Sequence, residues 1–345
     1  MNRAEFKKRL QEGPLLVDGA FGTVLHGQGV AIDQSFDAIN LSNPGVVASI
    51  HRDYIDAGAD IIETNTFGAN RFNLAEHELR DQVRAINQAA VSIARRVIGG
   101  SFRELLLAGS IGPLGIQLAP LGRVSVAEAR DAFAEQIEAL ITAEPQGVDL
   151  LIIETMSAVK EVEMAVAASR QLAPDLPVIA QMTFTRDDRT LLGSGPDVVA
   201  EKLAQLDVDA VGVNCSGGPA QVLRLLSVMH KVMPDMPLSA VPNAGWPEQM
   251  SGGRVLYPAT PSYFGEYARS FAAAGAQLMG GCCGTSAAHI AQMRHALDTP
   301  GDLTRPLPEV RLVKKEARET VLADPPTELA QNLAKGRFVV TVEMS

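Results

Sequence analysis

Short apolar runs that stop at glycine or at a polar residue recur along this chain. Eight are evident: Leu15-Leu-Val-Asp-Gly, Asp60-Ile-Ile-Glu-Thr-Asn-Thr, Leu105-Leu-Leu-Ala-Gly-Ser, Leu150-Leu-Ile-Ile-Glu-Thr, Val178-Ile-Ala-Gln-Met-Thr, Ala210-Val-Gly-Val-Asn-Cys, Leu238-Ser-Ala-Val-Pro-Asn and Ala276-Gln-Leu-Met-Gly-Gly-Cys-Cys. Between them lie stretches with helical spacing, at 46–57, 81–98, 125–142, 158–172, 196–206, 220–233 and 262–274. Continuously apolar strands belong to parallel sheets covered on both faces. Eight such units alternating with helices predict an α/β fold of the (β/α)8 TIM-barrel type over residues 1–300. A doubly wound open sheet is the alternative, but no Gly-x-Gly-x-x-Gly turn follows the first strand.

The chain has 345 residues, 46% of them hydrophobic, enough to bury a large core. Beyond residue 300 the pattern gives way to Pro306, Pro308 and Pro325-Pro with interspersed charge, which reads as a linker over 301–345. The final Phe338-Val-Val-Thr-Val-Glu-Met-Ser reads as one more strand, either an edge strand or the opening of a further domain. The segment from Asn243 to Pro261, rich in turn formers and holding the single tryptophan, Trp246, reads as a loop at the barrel rim.

In such a barrel the chemistry sits at the C-terminal ends of the strands. Here those ends carry Asp18, Glu63 to Thr66, Ser110, Glu154, Thr155, Asn214, Cys215, Asn243, Cys282 and Cys283. All three cysteines of the chain are in that set. The sixth and eighth strands share parity, so three sulfurs can meet one ion, and the glycines at 280, 281 and 284 leave the backbone free to turn adjacent cysteines the same way. Three thiolates around Zn2+ leave one position for a substrate thiol, which would be held deprotonated yet nucleophilic. No Cys-x2-Cys pair is present, and His26, His51, His77, His230, His289 and His295 mostly fall away from strand ends. Two other readings stay open on the residues alone: buried cysteines packing as small hydrophobes, and a strained vicinal disulfide. Asp18 and Glu154 suit a substrate ammonium group, or else cap helices. Phe21 and Phe67 read as apolar walls or as packing.

The elements Asp18-Gly-Ala-Phe-Gly-Thr23, Glu63-Thr-Asn-Thr-Phe67, Gly212-Val-Asn-Cys215 and Gly280-Gly-Cys-Cys-Gly284 together resemble the homocysteine S-methyltransferase family, in order, from about residue 10 to 298. The family includes the homocysteine-binding part of cobalamin-dependent methionine synthase and the betaine-dependent enzyme. The resemblance implies a zinc-dependent barrel enzyme that methylates L-homocysteine to L-methionine. Cys215, Cys282 and Cys283 would be its metal ligands and catalytic centre. Asp18 and Glu154 would bind the substrate amino group, and backbone amides near Ala20 and Phe21 its carboxylate. Glu63, Thr64, Asn65, Phe67, Ser110 and Asn214 would complete the substrate site, with Asn214 a candidate metal contact when substrate is absent. The betaine branch has tyrosine after the glutamate, whereas this chain has Thr155, which argues against betaine. The donor stays open among S-methylmethionine, S-adenosylmethionine, and methylcobalamin with methyltetrahydrofolate through a partner protein. The alternative is a homocysteine-binding zinc module with no turnover of its own. The tail resembles the first strand of methylenetetrahydrofolate reductase barrels, with Glu343 at a catalytic position. That likeness implies a fused reductase domain as one candidate partner.

A formal charge of −10 disfavours nucleic acid and anionic membrane as partners. The basic cluster Arg311 to Arg318 reads as a solvated linker or helix face. No long apolar run occurs, and the first residues lack a signal peptide's apolar stretch, so a cytoplasmic protein with reduced thiols is expected.

Overall fold

The computed structural model describes residues 1–119, 122–249 and 255–299, together with 301, 307–308, 331–332 and 335–336. The chain divides into two units, Met1–Val310 and Arg311–Ser345. The tail strand, Glu343 and the basic cluster lie outside the described residues.

Eight parallel strands form one sheet: Leu15–Leu16, Ile61–Glu63, Leu106–Ile111, Leu150–Met156, Val178–Met182, Ala210–Cys215, Leu238–Pro242 and Ala276–Met279. Each pairs with its sequence neighbour from the second strand to the eighth, and the eighth pairs with the first through Leu15 with Leu278 and Leu16 with Met279. A parallel bridge between Val17 and Ile61 closes the ring, so the fold is the (β/α)8 barrel.

Strand side chains alternate between two apolar layers. Leu15, Val17, Ile61, Leu106, Ala108, Leu150, Ile152, Ile179, Ala210 and Leu278 form one buried cluster with Phe6 and Leu10. Their alternates, such as Leu16, Ile62, Leu107, Leu151, Ile153, Val211 and Val213, join the larger cluster shared with the outer helices. Phe6 and Leu10 are borne by the helix Arg3–Gln11, which is started by a capping box between Asn2 and Glu5. That helix brings its two apolar residues onto the interior cluster, a role its mostly charged sequence hides.

The helices read from spacing appear as Pro44–Asp56, Val83–Gly99, Val126–Ile141, Val159–Leu172, Pro196–Leu203, Pro219–Val232 and Pro261–Ala273. The crossover series is completed by Ala287–Asp298, opened by a Ser286–His289 capping box. The rim segment after the seventh strand holds a small antiparallel ribbon, Glu248–Gln249 with Val255–Leu256. No helix among the described residues is long and apolar enough to cross a membrane.

Candidate active site

Parity alone would point Cys215 away from the barrel axis. Val211 and Val213 pack among the helices, and Cys215 follows them at the same two-residue spacing. The strand ends instead in two consecutive left-handed residues, Cys215 at φ +54° and Ser216 at φ +53°, a conformation that strains non-glycine residues. That turn swings the sulfur back to the mouth. Ser216 is held there by its own Oγ, which accepts the Phe184 amide at 2.8 Å, and by its N–H to Thr183 Oγ1 at 3.1 Å.

Cys282 and Cys283 sit just past the eighth strand, where the backbone keeps bonding to both neighbours. Gly281 N–H donates to Asp18 O and Cys282 N–H to Pro242 O, at 3.1 and 2.8 Å. Gly284, at φ +78°, then reverses the chain, and the Thr285 amide and hydroxyl close the turn on Cys282 O. The three sulfurs lie within 4.8 Å of one another, and all three residues are partly exposed. A tetrahedron of Zn–S bonds of about 2.3 Å has edges of about 3.8 Å, so the cluster fits the ion with a small contraction. Thiols so close do not ionise independently. Hydrogen bonds from Cys215 and Cys282 hold the Cys283 thiol far below its ordinary value, and the bonds to Cys215 and Cys283 hold Cys282 well above its own.

The sulfurs face a cavity of about 380 Å³. Its lining includes Ala20, Phe21, Glu63, Thr64, Asn65, Phe67, Ser110, Glu154 and Thr155, so most of the residues picked out in the sequence do converge. Asp18 and Asn214 are buried at 2% and 0% exposure and act from behind this wall. Burial, before anything else, pushes the carboxyls of Asp18, Glu63 and Glu154 above the usual range, and their mutual charge adds to it for Asp18 and Glu63. Ser110 Oγ donates to Glu154 Oε1 at 2.5 Å and Asn214 Nδ2 to Oε2 at 2.9 Å, both favouring the ionised form. Asp18 Oδ2 accepts the Glu63 amide at 3.0 Å. Carboxyls this reluctant to ionise are matched to a cation, whose charge offsets the cost that burial puts on them.

A family model, homocysteine S-methyltransferase, matches residues 15–297. The chain belongs to this family.

Among similar proteins, methionine synthase of Mycobacterium tuberculosis is 35% identical over 305 residues, covering 84% of this chain and 25% of the relative. Methionine synthase of Mycobacterium leprae is 33% identical, covering 86% of this chain and 25% of the relative. The chain therefore spans about a quarter of the length of these relatives. Among solved structures, the metallated form of the homocysteine methyltransferase MmuM from Escherichia coli has a TM-score of 0.68 at 28% identity, covering 84% of this chain and 98% of the other. These likenesses make the protein a methyltransferase enzyme of the homocysteine S-methyltransferase family.

Within this family member, several polar residues at the strand ends are hydrogen-bonded to their neighbours. Thr64 Oγ1 bonds Thr66 Oγ1 at 2.6 Å and accepts the Ser110 amide at 3.1 Å, and Thr66 Oγ1 donates to Ser110 O at 2.8 Å. Asn65 Nδ2 donates to Phe36 O at 2.8 Å and to Asn40 Oδ1 at 3.2 Å, tying the first rim loop to the second. The Ala20 amide donates to Thr285 Oγ1 at 3.1 Å. Phe21 packs its ring 4.9 Å from the buried His51, and Phe67 stands on the rim at 42% exposure.

The amide of Asn214 is likewise occupied. Its Oδ1 accepts the Thr155 N–H at 2.6 Å, and its Nδ2 donates to Glu154 and to Thr155 Oγ1. Asn214 thus orients Glu154 and steadies Thr155, itself left-handed at φ +58°. Beside the sulfurs stands Asn243 instead, 4% exposed, hydrogen-bonded to Cys215 and to Ser216 O. Its Oδ1 is buried with no hydrogen-bond partner among the described residues. An orphaned buried oxygen on a side chain that touches Cys215 has lone pairs free for a hydrogen-bond donor or an ion.

Sequence reading also missed the first rim loop, where Ile32, Gln34, Ser35, Phe36 and Asp37 line the cavity. Burial pushes the Asp37 carboxyl up to about 6, against the Gly68 amide that bonds it at 2.9 Å. No periodicity marks this loop, and only its length between the first strand and the helix at Pro44 hinted at a role.

Proposed function

We propose that this enzyme transfers a methyl group to the thiol of L-homocysteine, giving L-methionine, with zinc held by Cys215, Cys282 and Cys283. The observation that carries the reading is the triple of sulfurs within 4.8 Å opening on the carboxyl-lined cavity. The three cysteines would hold zinc, which would supply the charge that keeps a substrate thiol deprotonated at neutral pH. Glu154, oriented by Ser110 and Asn214, takes the substrate ammonium, with the Asp18 and Glu63 carboxyls behind and beside it lending acceptor oxygens. The Phe21 amide takes the carboxylate, the neighbouring Ala20 amide being held by Thr285 Oγ1, and Phe21 and Phe67 bound the space through which the donor's methyl carbon approaches in line. Asn243 Oδ1, rather than Asn214, is our choice for the fourth position until substrate displaces it.

S-methylmethionine, S-adenosylmethionine, and methylcobalamin or methyltetrahydrofolate delivered through a partner are the candidate donors. Likeness to the homocysteine methyltransferase MmuM over 98% of that chain favours catalysis by this barrel without further domains. The quarter-length match to the methionine synthases favours the second reading, a homocysteine-binding module served by a cobalamin protein or domain. Residues 301–345 are then a linker and the start of a further domain, for which the reductase-like tail is the candidate. We place the protein in the cytoplasm, the compartment in which a three-thiolate site stays reduced. Zinc-edge X-ray absorption on the reduced protein tests the site: three sulfurs and one light atom should become four sulfurs when L-homocysteine is added. A spectrum unmoved by homocysteine rejects the proposal. Methionine formation measured across the candidate donors separates the two readings, since a module alone turns over none of them.

A further inference from the structure

A second cavity, of about 530 Å³, opens between the start of the helix Pro219–Val232 and the rim segment after the seventh strand. It shares no lining residue with the cavity at the sulfurs. Among the described residues its charged lining is Arg186 and Arg224 alone, in a chain whose formal charge is −10. Arg224 is spent on Asp188, through Nε at 2.6 Å and Nη2 at 2.8 Å. Arg186 is not. Its guanidinium carbon lies 4.9 Å from the centre of the Trp246 ring, and it has no ion pair or hydrogen bond among the described residues. A guanidinium stacked on a ring keeps its N–H edge free in the plane, which suits a carboxylate. Beside it the helix starts at Gly218 and Pro219 without a side-chain cap, leaving the Ala220 amide with no acceptor inside the helix. Gln221, in the same first turn, is 6% exposed. Its Nε2 donates to Thr185 O at 2.7 Å and to Asp188 Oδ1 at 2.9 Å, two acceptors that fix which way the amide points. Its Oε1 therefore turns the other way, toward Trp246, and has no hydrogen-bond partner among the described residues. A Cβ on Gly217 would fall 2.3 Å from that oxygen and 2.5 Å from Trp246 Nε1, so both atoms stand at one spot on the wall.

We propose that this cavity binds a carboxylate with an acylated N–H beside it, the chemistry of an N-acyl amino acid or of a peptide's last residue. The carboxylate lies across the Arg186 edge and the Ala220 amide, where charge-assisted hydrogen bonds are strongest. The neighbouring N–H donates to Gln221 Oε1, which gives that buried oxygen its partner. An apolar side chain rests on Pro258, Ala259 and Tyr263, which also line the cavity. A free ammonium is disfavoured in place of the acylated N–H, because two guanidiniums and no acidic side chain line the cavity among the described residues. The site is separate from the thiol cluster, so the inference stands whether or not the cysteines hold a metal.

Trp246 is the single tryptophan of the chain, so its emission reports occupancy of the cavity. The full chain is titrated with N-acetyl-L-leucine and followed by fluorescence and by calorimetry, and saturable binding is expected. Two probes that each lack one half of the pattern, 4-methylpentanoate without the N–H and N-acetyl-L-leucinamide without the carboxylate, should bind about ten-fold more weakly or worse. Arg186→Gln should weaken N-acetyl-L-leucine by about ten-fold while leaving N-acetyl-L-leucinamide and L-homocysteine unaffected. Tighter binding of the peptide Ala-Ala-Ala-Leu than of N-acetyl-L-leucine makes a chain end the occupant, and equal binding makes it a small ligand. No emission change and no heat with N-acetyl-L-leucine, or a Kd that Arg186→Gln leaves untouched, overturns the proposal.

Discussion

Replacing Ser110 by alanine isolates one hydrogen bond in the substrate pocket. The residue is 2% exposed on the third strand, and its backbone bonds with Thr64 and Thr66 do not involve its own side chain. What is lost is the 2.5 Å donation to Glu154 Oε1. A hydrogen bond to a charged group contributes about 1.5–3 kcal/mol, and this one acts on the ionised carboxylate, so it lowers the Glu154 pKa that burial raises. Without it the carboxyl protonates at higher pH, and less of the form that pairs with an ammonium is present. The Kd for L-homocysteine at neutral pH should therefore rise roughly ten- to hundred-fold, at 1.4 kcal/mol per decade. The deficit should shrink as pH rises above neutrality, because both proteins approach full ionisation of Glu154. Isothermal titration of the zinc-loaded protein with L-homocysteine across that range measures both effects. A Kd within two-fold of the unaltered protein at every pH refutes the assignment of Glu154 to the ammonium.

Cys215→Ser should remove zinc retention and turnover together, read by metal content after dialysis and by methionine formation; a fully active, metal-replete serine variant rejects the ligand set. Glu63→Gln should stabilise the ligand-free protein at neutral pH by on the order of 1 kcal/mol while weakening homocysteine binding. The sign follows from the raised carboxyl: the folded chain holds more protons than the unfolded one above the ordinary glutamate value, so stability falls as pH rises through that window. The gain should vanish near about pH 4, where the carboxyl is protonated in both states, and a lower Tm at pH 7 contradicts the argument. Gly212→Ala should destabilise by about 3 kcal/mol or more, since its Cβ would lie 2.1 Å from Ser239 O, a backbone atom of the neighbouring strand. A denaturation midpoint equal to that of the unaltered chain counts against this register.

Much of the fold was legible because a covered parallel strand has a simple signature. Runs such as Leu150-Leu-Ile-Ile and Val178-Ile-Ala need apolar residues on both faces, and they become polar where the barrel opens. The helix Ala287–Asp298 was harder to see because alanines and two histidines blur its apolar stripe, and Arg3–Gln11 carries only two buried residues. The polar cluster from Glu63 to Thr66 was visible, but its division of labour was not. Thr64, Asn65 and Thr66 bond the rim loops together, and only Glu63 keeps an ionisable group on the cavity. Asn214 and Asn243 look alike in sequence, each ending an apolar strand. Contacts separate them, since Asn214 is bound to Glu154 and Thr155 while Asn243 leaves an oxygen without a partner beside Cys215.

By itself the sequence determined the barrel, the ring of polar strand ends and the identity of the three thiols, because hydrophobic period and residue chemistry are local properties. Tertiary structure alone decided that the thiols meet. Strand parity points Cys215 outward, and only the left-handed pair Cys215–Ser216, held by Thr183 and Phe184 of another strand's end, turns it to the axis. The same holds for the carboxyls, whose raised pKa values come from burial and from each other across strands far apart in the chain. Such contacts depend on through-space distance, which no one-dimensional pattern encodes.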